Sequence, residues 1–178
     1  KKYPHIELKA HSDKNGFINS YKFLDKFSNY FRKNECIVTD MGTALLSGHQ
    51  VLKIKDKQTL MTSTGLGEMG FGLPGAIGAS FGKNKGEIIC LNCDGGMMMN
   101  IQELQTLVHY LLPIKLFVLS NNGYLAIKNT QQNHFGRFVG AHPESGVSCP
   151  DLMKIAKAYG LHAEKIKQQE ELDEKLNM

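Results

Sequence analysis

Two rhythms of apolar residues alternate along the chain. Short unbroken runs at Cys36-Ile37-Val38-Thr39, Leu60-Met61-Thr62-Ser63, Ile88 to Leu91 and Ile114 to Leu119 have the length of buried strands. Around them, apolar positions recur at the spacing of one helical face. Phe23, Leu24, Phe27, Tyr30 and Phe31 do so within 19–31; Ile101, Leu104, Leu107, Val108 and Leu111 follow, and Pro113 closes that helix. Pro150-Asp151 opens a further helix with Leu152, Ile155 and Ala156 inward, ending at Gly160. His162 to Ile166 predicts an edge strand, and Gln168 to Met178 a charged terminal helix. Strand runs separated by helical faces predict an α/β fold in three layers over residues 17–178: a doubly wound parallel sheet with helices on both faces. Residues 1–16 lack periodicity and are expected to be a linker or an arm from a preceding domain.

The centre of the pattern is 87–124, EIICLNCDGGMMMNIQELQTLVHYLLPIKLFVLSNNGY, which reads as a βαβ unit. Ligands of open parallel sheets sit outside the carboxyl ends of the strands. A polar cluster stands at each of those ends here, Cys93-Asp94-Gly95-Gly96 and Ser120-Asn121-Asn122-Gly123. A carboxylate on one loop and a carboxamide on the other are hard oxygen ligands suited to Mg²⁺. Gly95 and Gly96 let backbone approach an anion, and the helix that follows offers free N–H groups to a phosphate. Asn100 and Glu103 have the spacing of a capping box and mark the expected start of the regular helix. Taken singly, Asp94 also reads as a helix cap and the asparagines as an αL turn. The spaced constellation is what points to a metal and a phosphate.

Two other strand ends carry glycine turns. Asp40-Met41-Gly42-Thr43-Ala44 enters a helix after the first strand, again presenting N–H groups at a carboxyl-end crevice. His49, on that helix, reads as a packing or surface residue. Gly65, Gly67 and Gly70 match the dinucleotide pattern G-x-G-x-x-G between a strand and a helix, which keeps an NAD-binding oxidoreductase domain as an alternative. The acidic residue which that reading wants about 20 positions on is Asp94, inside the other glycine turn. Gly70, Gly72, Gly75, Ala76, Gly78 and Ala79 predict a helix of small residues, able to approach the sheet closely.

Asp94-Gly95-Gly96, with Asn121 27 positions after Asp94, resembles the metal and diphosphate motif of thiamine-diphosphate-dependent enzymes. The surroundings resemble the acetolactate synthase branch. That family opens the motif Gly-Asp-Gly, and Cys93 replaces the first glycine here. The resemblance implies a C-terminal diphosphate-binding domain whose cofactors are thiamine diphosphate and Mg²⁺. By the resemblance, Asp94 and Asn121 give side-chain oxygens and Gly123 its carbonyl to the metal, Asn122 being the other register of the pair. Gly95 and Gly96 line the diphosphate, as do Gly42 and Thr43, with Tyr124 beside them. The Gly67 carbonyl accepts from the 4′-amino group of the cofactor. Met69 wedges it into the bent form that brings the aminopyrimidine against the thiazolium C2 proton, which puts Gly67 and Met69 at the catalytic centre. Tyr124 to Asn133 is expected to be a loop or short helix closing over the thiazolium end. Ile127 stands near where related decarboxylases that release aldehydes carry an acidic residue, and its apolar character favours carbon–carbon bond formation. In the following loop, Arg137 reads as a clamp for a substrate carboxylate or as a solvated arginine.

The implied activity is that of a lyase or transferase acting on a 2-keto acid, with decarboxylation and carboligation to an acceptor carbonyl. A pyrimidine-binding domain, on the same enzyme or on a partner subunit, is implied as the missing half of the pocket. The chain alone is then expected to be inactive and the whole enzyme to be a homo-oligomer. The alternative within the family is the small subunit of a two-subunit thiamine-dependent 2-keto acid decarboxylase.

Composition narrows the picture further. A chain of 178 residues, 42% hydrophobic and 21% charged, has globular composition and the size of one domain. No apolar run approaches the roughly 20 residues of a membrane span. The net charge of +4 is scattered rather than gathered into a basic stripe, which argues against nucleic acid as a partner. Of the four cysteines, Cys90 and Cys93 have CxxC spacing, but Cys90 falls inside a predicted buried strand. Reduced thiols in a cytoplasmic protein are therefore expected rather than zinc or redox chemistry. The opening KKYPHIELKAHS has no apolar leader and no initiating Met, so a segment of a longer polypeptide is expected.

Overall fold

The computed structural model describes Ile6, Asp13 and residues 16–176. The expected arm over 1–16 lies almost wholly outside the described residues. The chain runs α1 (Ser20–Phe27), β1 (Cys36–Thr39), α2 (Thr43–Val51), β2 (Thr59–Thr62), α3 (Gly72–Gly82), β3 (Ile88–Cys93), α4 (Asp94–Met97), α5 (Leu104–Tyr110), β4 (Ile114–Leu119), α6 (Leu125–His134), α7 (Leu152–Ala158) and α8 (Glu171–Leu176). Among the described residues the sheet has the order β2-β1-β3-β4, with each neighbouring pair parallel. β4 coincides with its apolar run. β3 extends beyond its run because Asn92 and Cys93 stay buried and pair with Val118 and Leu119.

Side chains alternate between the two faces of a strand, and each face has its own core. On one, Ile37, Ile89, Leu91 and Cys93 pack with Phe23, Leu24 and Phe27 of α1, Ala44 and Val51 of α2, and Leu172 of α8. On the other, Val38 and Cys90 meet Ala76 of α3, while Leu116 and Val118 meet Leu73 and Ile77 of α3 and Leu104 and Leu107 of α5. This is the three-layer α/β architecture. Cys90 and Cys93 therefore belong to opposite faces, and their spacing brings no shared ligand site.

The order of the strands sets the position of any ligand. From β1 the chain crosses to β2 on one side, then returns past β1 to β3 and β4 on the other. The tips of β1 and β3 thus flank the point where the winding reverses, and an open α/β sheet leaves a crevice there.

Four expectations are corrected. The stretch from His162 to Ile166 forms no strand. The Lys165 carbonyl is bonded by the Lys175 ammonium instead, and the Lys167 N–H donates to Glu171, so this backbone is tied to α8 rather than to β4. The helix after the acidic glycine turn is not continuous: Asp94–Met97 is one turn, a 3-10 turn covers Ile101–Glu103, and the regular helix begins at Leu104. Asn100 and Glu103 make no capping box, because Asn100 donates to the Gly70 carbonyl and Glu103 accepts from Thr106. Leu111, expected on the inward face, ends the helix with φ 52° and is 84% exposed, while Leu112 turns inward in its place.

Leu172 is the residue that joins α8 to the sheet, with 0% exposure. Leu172→Ala is expected to lower stability by roughly 2–5 kcal/mol in urea unfolding, the usual cost of a large-to-small change in a packed core. A loss below about 0.5 kcal/mol would detach α8 from the fold.

Candidate functional site

The site is assembled from the tips of all four strands. β3 ends its pairing at Cys93, and Asp94 begins the helical turn that follows. The Asp94 side chain is fully buried. Its Oδ1 accepts the N–H of Gly95 at 2.9 Å; its Oδ2 accepts the N–H groups of Asn121 and Asn122, both at 2.8 Å, and the Ser120 hydroxyl at 3.3 Å. A buried carboxylate needs such donors, since without them its desolvation costs several kcal/mol. Positive φ at Asn122 and Gly123 (62° and 135°) shapes the turn that carries the two N–H groups to one oxygen.

Asn121 links this pair to the third tip. Its Nδ2 donates to Thr43 Oγ1 at 3.3 Å, at the first residue of α2, and its Oδ1 is buried without a hydrogen-bond partner. Gly42, just before that helix, has φ 89°, a conformation that favours glycine. Cys93 Sγ accepts the Ala44 N–H at 3.4 Å, so the thiol caps the start of α2 across the sheet. Burial pushes this thiol up to about 12, which keeps it protonated and unreactive.

The fourth tip brings Gly67 and Met69. Gly67 lies against Met41: an added Cβ would stand 2.4 Å from the Met41 methyl. A Cβ on Gly95 would stand 2.5 Å from the Tyr124 ring and 3.2 Å from the Met69 methyl. Gly95 is thus the point where Met69 and Tyr124 meet the acidic turn. Tyr124 is anchored by its own N–H to the Ala141 carbonyl at 2.8 Å, and Gly123 packs on the same carbonyl.

Beneath these residues lies Asp40, at the tip of β1 and fully buried. Its Oδ1 accepts the N–H groups of Gly70 and Gly72 at 2.9 and 3.1 Å, and its Oδ2 has no partner. Gly96 rests on that carboxylate; an added Cβ would fall 1.6 Å from Asp40 Oδ2. Burial raises the Asp40 carboxyl above its ordinary 3.8, and backbone donors, Gly72 foremost, oppose this.

These atoms can hold a hard cation. A carboxylate has about four acceptor positions. Asp94 Oδ1 makes one hydrogen bond and Asn121 Oδ1 none, so oxygen remains for an ion shared by the tips of β3 and β4. Few protein oxygens, completed by water or phosphate, is the pattern Mg²⁺ takes. Among the described residues no three His, Cys, Asp or Glu side chains gather as a metal cluster. Gly42, Gly95 and Gly96 carry no side chain of their own to hold an anion off, and Gly95 also packs on Tyr124 and Met69, Gly96 on Asp40.

The structure thus brings together Gly42, Thr43, Gly67, Met69, Asp94, Gly95, Gly96, Asn121, Gly123 and Tyr124. Asn122 takes part through its N–H, with its side chain on the exposed side of the turn. His49 and Arg137 are exposed, and neither joins the hydrogen bonds that tie the site together. The dinucleotide reading is not favoured. Its glycines follow β2, at the edge of the sheet rather than at the reversal, and its acidic partner Asp94 is held by the β4 turn. Sequence reasoning passed over Asp40 and the Ala141 carbonyl. An acidic residue directly after a wholly buried strand was a usable signal for the first; nothing in the sequence marks the second.

Comparison with known proteins agrees with this geometry. The family model described as "Thiamine pyrophosphate enzyme, C-terminal TPP binding domain" matches residues 40–178. The acetolactate synthase large subunit of Pyropia yezoensis is 36% identical over 136 residues, 76% of this chain and 23% of that protein. Acetolactate synthase isozyme 2 large subunit of Escherichia coli (strain K12) is 32% identical over 145 residues, 80% of this chain and 26% of that protein. The large subunit of Buchnera aphidicola subsp. Schizaphis graminum (strain Sg) is 31% identical over 176 residues, 98% of this chain and 30% of that protein. The chain therefore spans about a quarter of the length of the curated relatives it matches. These relatives are large subunits, so the small-subunit alternative is not favoured.

Two outcomes are expected from the geometry. Gly96→Ala should destabilise by about 1–3 kcal/mol through the collision with Asp40, whereas Gly78→Ala, in a helix and facing open space, should leave stability unchanged or raise it by about 0.5–1 kcal/mol. Paired urea titrations would settle this contrast. The second concerns pH. Because the Asp40 carboxyl is raised in the fold, the stability it contributes is fully present below its ordinary value and is lost as pH rises through the raised one. Asp40→Asn removes that loss, so its thermal midpoint relative to wild type should move upward as the pH rises above the ordinary carboxylate value of 3.8 in calorimetric scans.

Proposed function

We propose a function for a chain that belongs to the thiamine pyrophosphate enzymes and carries their C-terminal, cofactor-binding domain: it holds the diphosphate end of thiamine diphosphate, with Mg²⁺, for an acetolactate synthase-like reaction of a 2-keto acid. The observation that carries the proposal is the pair of oxygens left at the β3 and β4 tips, one on Asp94 and the unpartnered one on Asn121. Asp94 Oδ1, Asn121 Oδ1 and the Gly123 carbonyl would hold the metal. Gly42, Thr43, Gly95 and Gly96 would line the diphosphate, and the partial positive charge at the start of α2 would favour it.

When bound, thiamine diphosphate supplies an electron sink for the carbanion left when a 2-keto acid loses CO₂. The residues of this chain hold and orient it. The Gly67 carbonyl would accept a hydrogen bond from the 4′-amino group and Met69 would support the cofactor from beside Gly95, over which Tyr124 also lies. Ile127, exposed on α6, carries an apolar side chain after the β4 turn, and its apolar character supports capture of an acceptor carbonyl over release of an aldehyde. This supports a carboligation, with the formal class of a transferase or lyase.

A quarter-length match to the relatives supports further domains or subunits. The other half of the pocket is assigned to a pyrimidine-binding domain of the same enzyme or a partner subunit, in a homo-oligomer, so this chain alone would not turn over. No described helix is long and apolar enough to cross a membrane, and the unreactive thiols Cys90 and Cys93 suit a cytoplasmic setting.

Calorimetric titration of the full-length protein with thiamine diphosphate tests the reading. Binding should require Mg²⁺, vanish in Asp94→Ala, and weaken about tenfold or more in Asp94→Asn and Asn121→Ala, a loss of roughly 1.4 kcal/mol or more. Binding without a divalent ion, or undiminished in Asp94→Asn, would overturn it.

A further inference from the structure

Met69 and Gly67 sit on the segment between β2 and α3, which has no strand pairing to fix it. What holds it is the peptide of Gly70. The Gly70 N–H donates to Asp40 Oδ1 at 2.9 Å, and the Gly70 carbonyl accepts from Asn100 Nδ2 at 2.8 Å. Asp40 Oδ1 takes the Gly72 N–H as well, at 3.1 Å. Asp40 belongs to the tip of β1, whereas Asn100 follows the helical turn that begins with Asp94. One glycine is therefore gripped on both sides by two separate parts of the site.

The grip has little slack. A Cβ on Gly70 would lie 2.6 Å from Met99 Cβ and 2.8 Å from Asn100 Nδ2; one on Gly72 would lie 2.7 Å from Asp40 Cβ. Gly70 has φ 91°, which other residues rarely adopt. Asp40 has no room to withdraw, since it is fully buried under Gly96. Each partner also lacks an alternative use: Asn100 caps no helix, and Asp40 Oδ2 bonds nothing.

We infer that Asp40 and Asn100 are positioning residues that clamp Gly70 and so fix Met69 and Gly67 relative to the Asp94 turn. The inference rests on the roles proposed above for Met69 and Gly67. The clamp is complete in the protein alone, so the segment is ordered before any cofactor arrives. Loosening it leaves the metal and diphosphate ligands in place and lowers the population in which Met69 and Gly67 stand correctly. The loss then falls on steps that depend on the bend of the cofactor, and its affinity is largely kept.

The test uses the full-length protein as wild type, Asn100→Ala, Asp40→Ala and Asp40→Asn. Amide deuterium exchange over 67–72 is measured without cofactor. Affinity for thiamine diphosphate with Mg²⁺ and the rate of deuterium exchange at C2 of the bound cofactor are measured separately. Losing the Asn100 bond is expected to speed amide exchange and slow C2 exchange by about tenfold each, while affinity changes by less than about threefold. Asp40→Asn, which keeps an oxygen for Gly70 and Gly72, should restore most of the amide protection that Asp40→Ala loses. The inference is overturned if Asn100→Ala exchanges like wild type, or if affinity falls as far as the C2 rate. Should Asp40→Ala fail to fold, Asn100→Ala decides alone. Should wild type bind no thiamine diphosphate, the proposed function falls, and amide exchange still decides whether the clamp exists.

Discussion

The fold turns on one buried carboxylate. Asp94 carries a charge to a fully enclosed position at the reversal of the sheet, and the only way to keep it there is to surround it with donors. Those donors are the N–H groups of Gly95, Asn121 and Asn122, so the end of β3 and the end of β4 cannot separate without stranding the charge. The same bonds set what is left over. Because the backbone N–H of Asn121 serves Asp94 and its side-chain N–H serves Thr43, the amide oxygen is the part without a partner. The scaffold is complete with the other atoms of this residue, while its amide oxygen stays available for the proposed ligand.

Close approach is the second constraint, and glycine is its instrument at few positions. Gly96 permits the Asp94 turn to lie on Asp40, and Gly95 permits Met69 and Tyr124 to meet over that turn. By contrast Gly65, Gly78 and Gly82 face open space. The glycine-rich look of 65–82 therefore mixes positions that the site requires with positions it does not. A pattern match that counts glycines, such as the dinucleotide fingerprint, cannot tell them apart. Position in the sheet can: the fingerprint belongs at the reversal, and β2 is at the edge.

This distinction explains how much could be read from the sequence. The strands announce themselves as short, mostly apolar runs, and the sheet was legible for that reason. Asp94 and Asn121 were legible because their spacing is set by one strand–helix–strand unit, a local quantity. Asn100 was not. Its capping-box spacing with Glu103 is genuine, but the carbonyl of Gly70, 30 residues earlier in the chain, competes for the same amide and wins. Leu111 fitted the helical period and lost to the need to reverse the chain before Pro113. Residues 162–166 were expected to form an edge strand, yet side chains of α8 hold that backbone. Asn100 was overruled by a partner distant in sequence, whereas Leu111 and residues 162–166 yielded to a turn and a helix close by, and periodicity reveals neither.

The substitution of Cys93 for the family glycine follows the same logic. A glycine has no side chain to offer the start of α2, whereas the buried thiol accepts the Ala44 N–H there. A sulfur is a weak acceptor, so the bond adds little energy by itself. Its greater effect is geometric: it ties the start of α2 to the end of β3, the two elements that Asn121 and Thr43 also connect. The β1, β3 and β4 tips are then joined pairwise by three separate side chains, Cys93, Asp94 and Asn121. Met69 is attached to this triangle through Gly70 and Gly72, both bonded to Asp40, and through its contact at Gly95. The proposed metal ligands are thus tied to one another through the tips of three strands, and an unusual residue at 93 reinforces that tie rather than disturbing it.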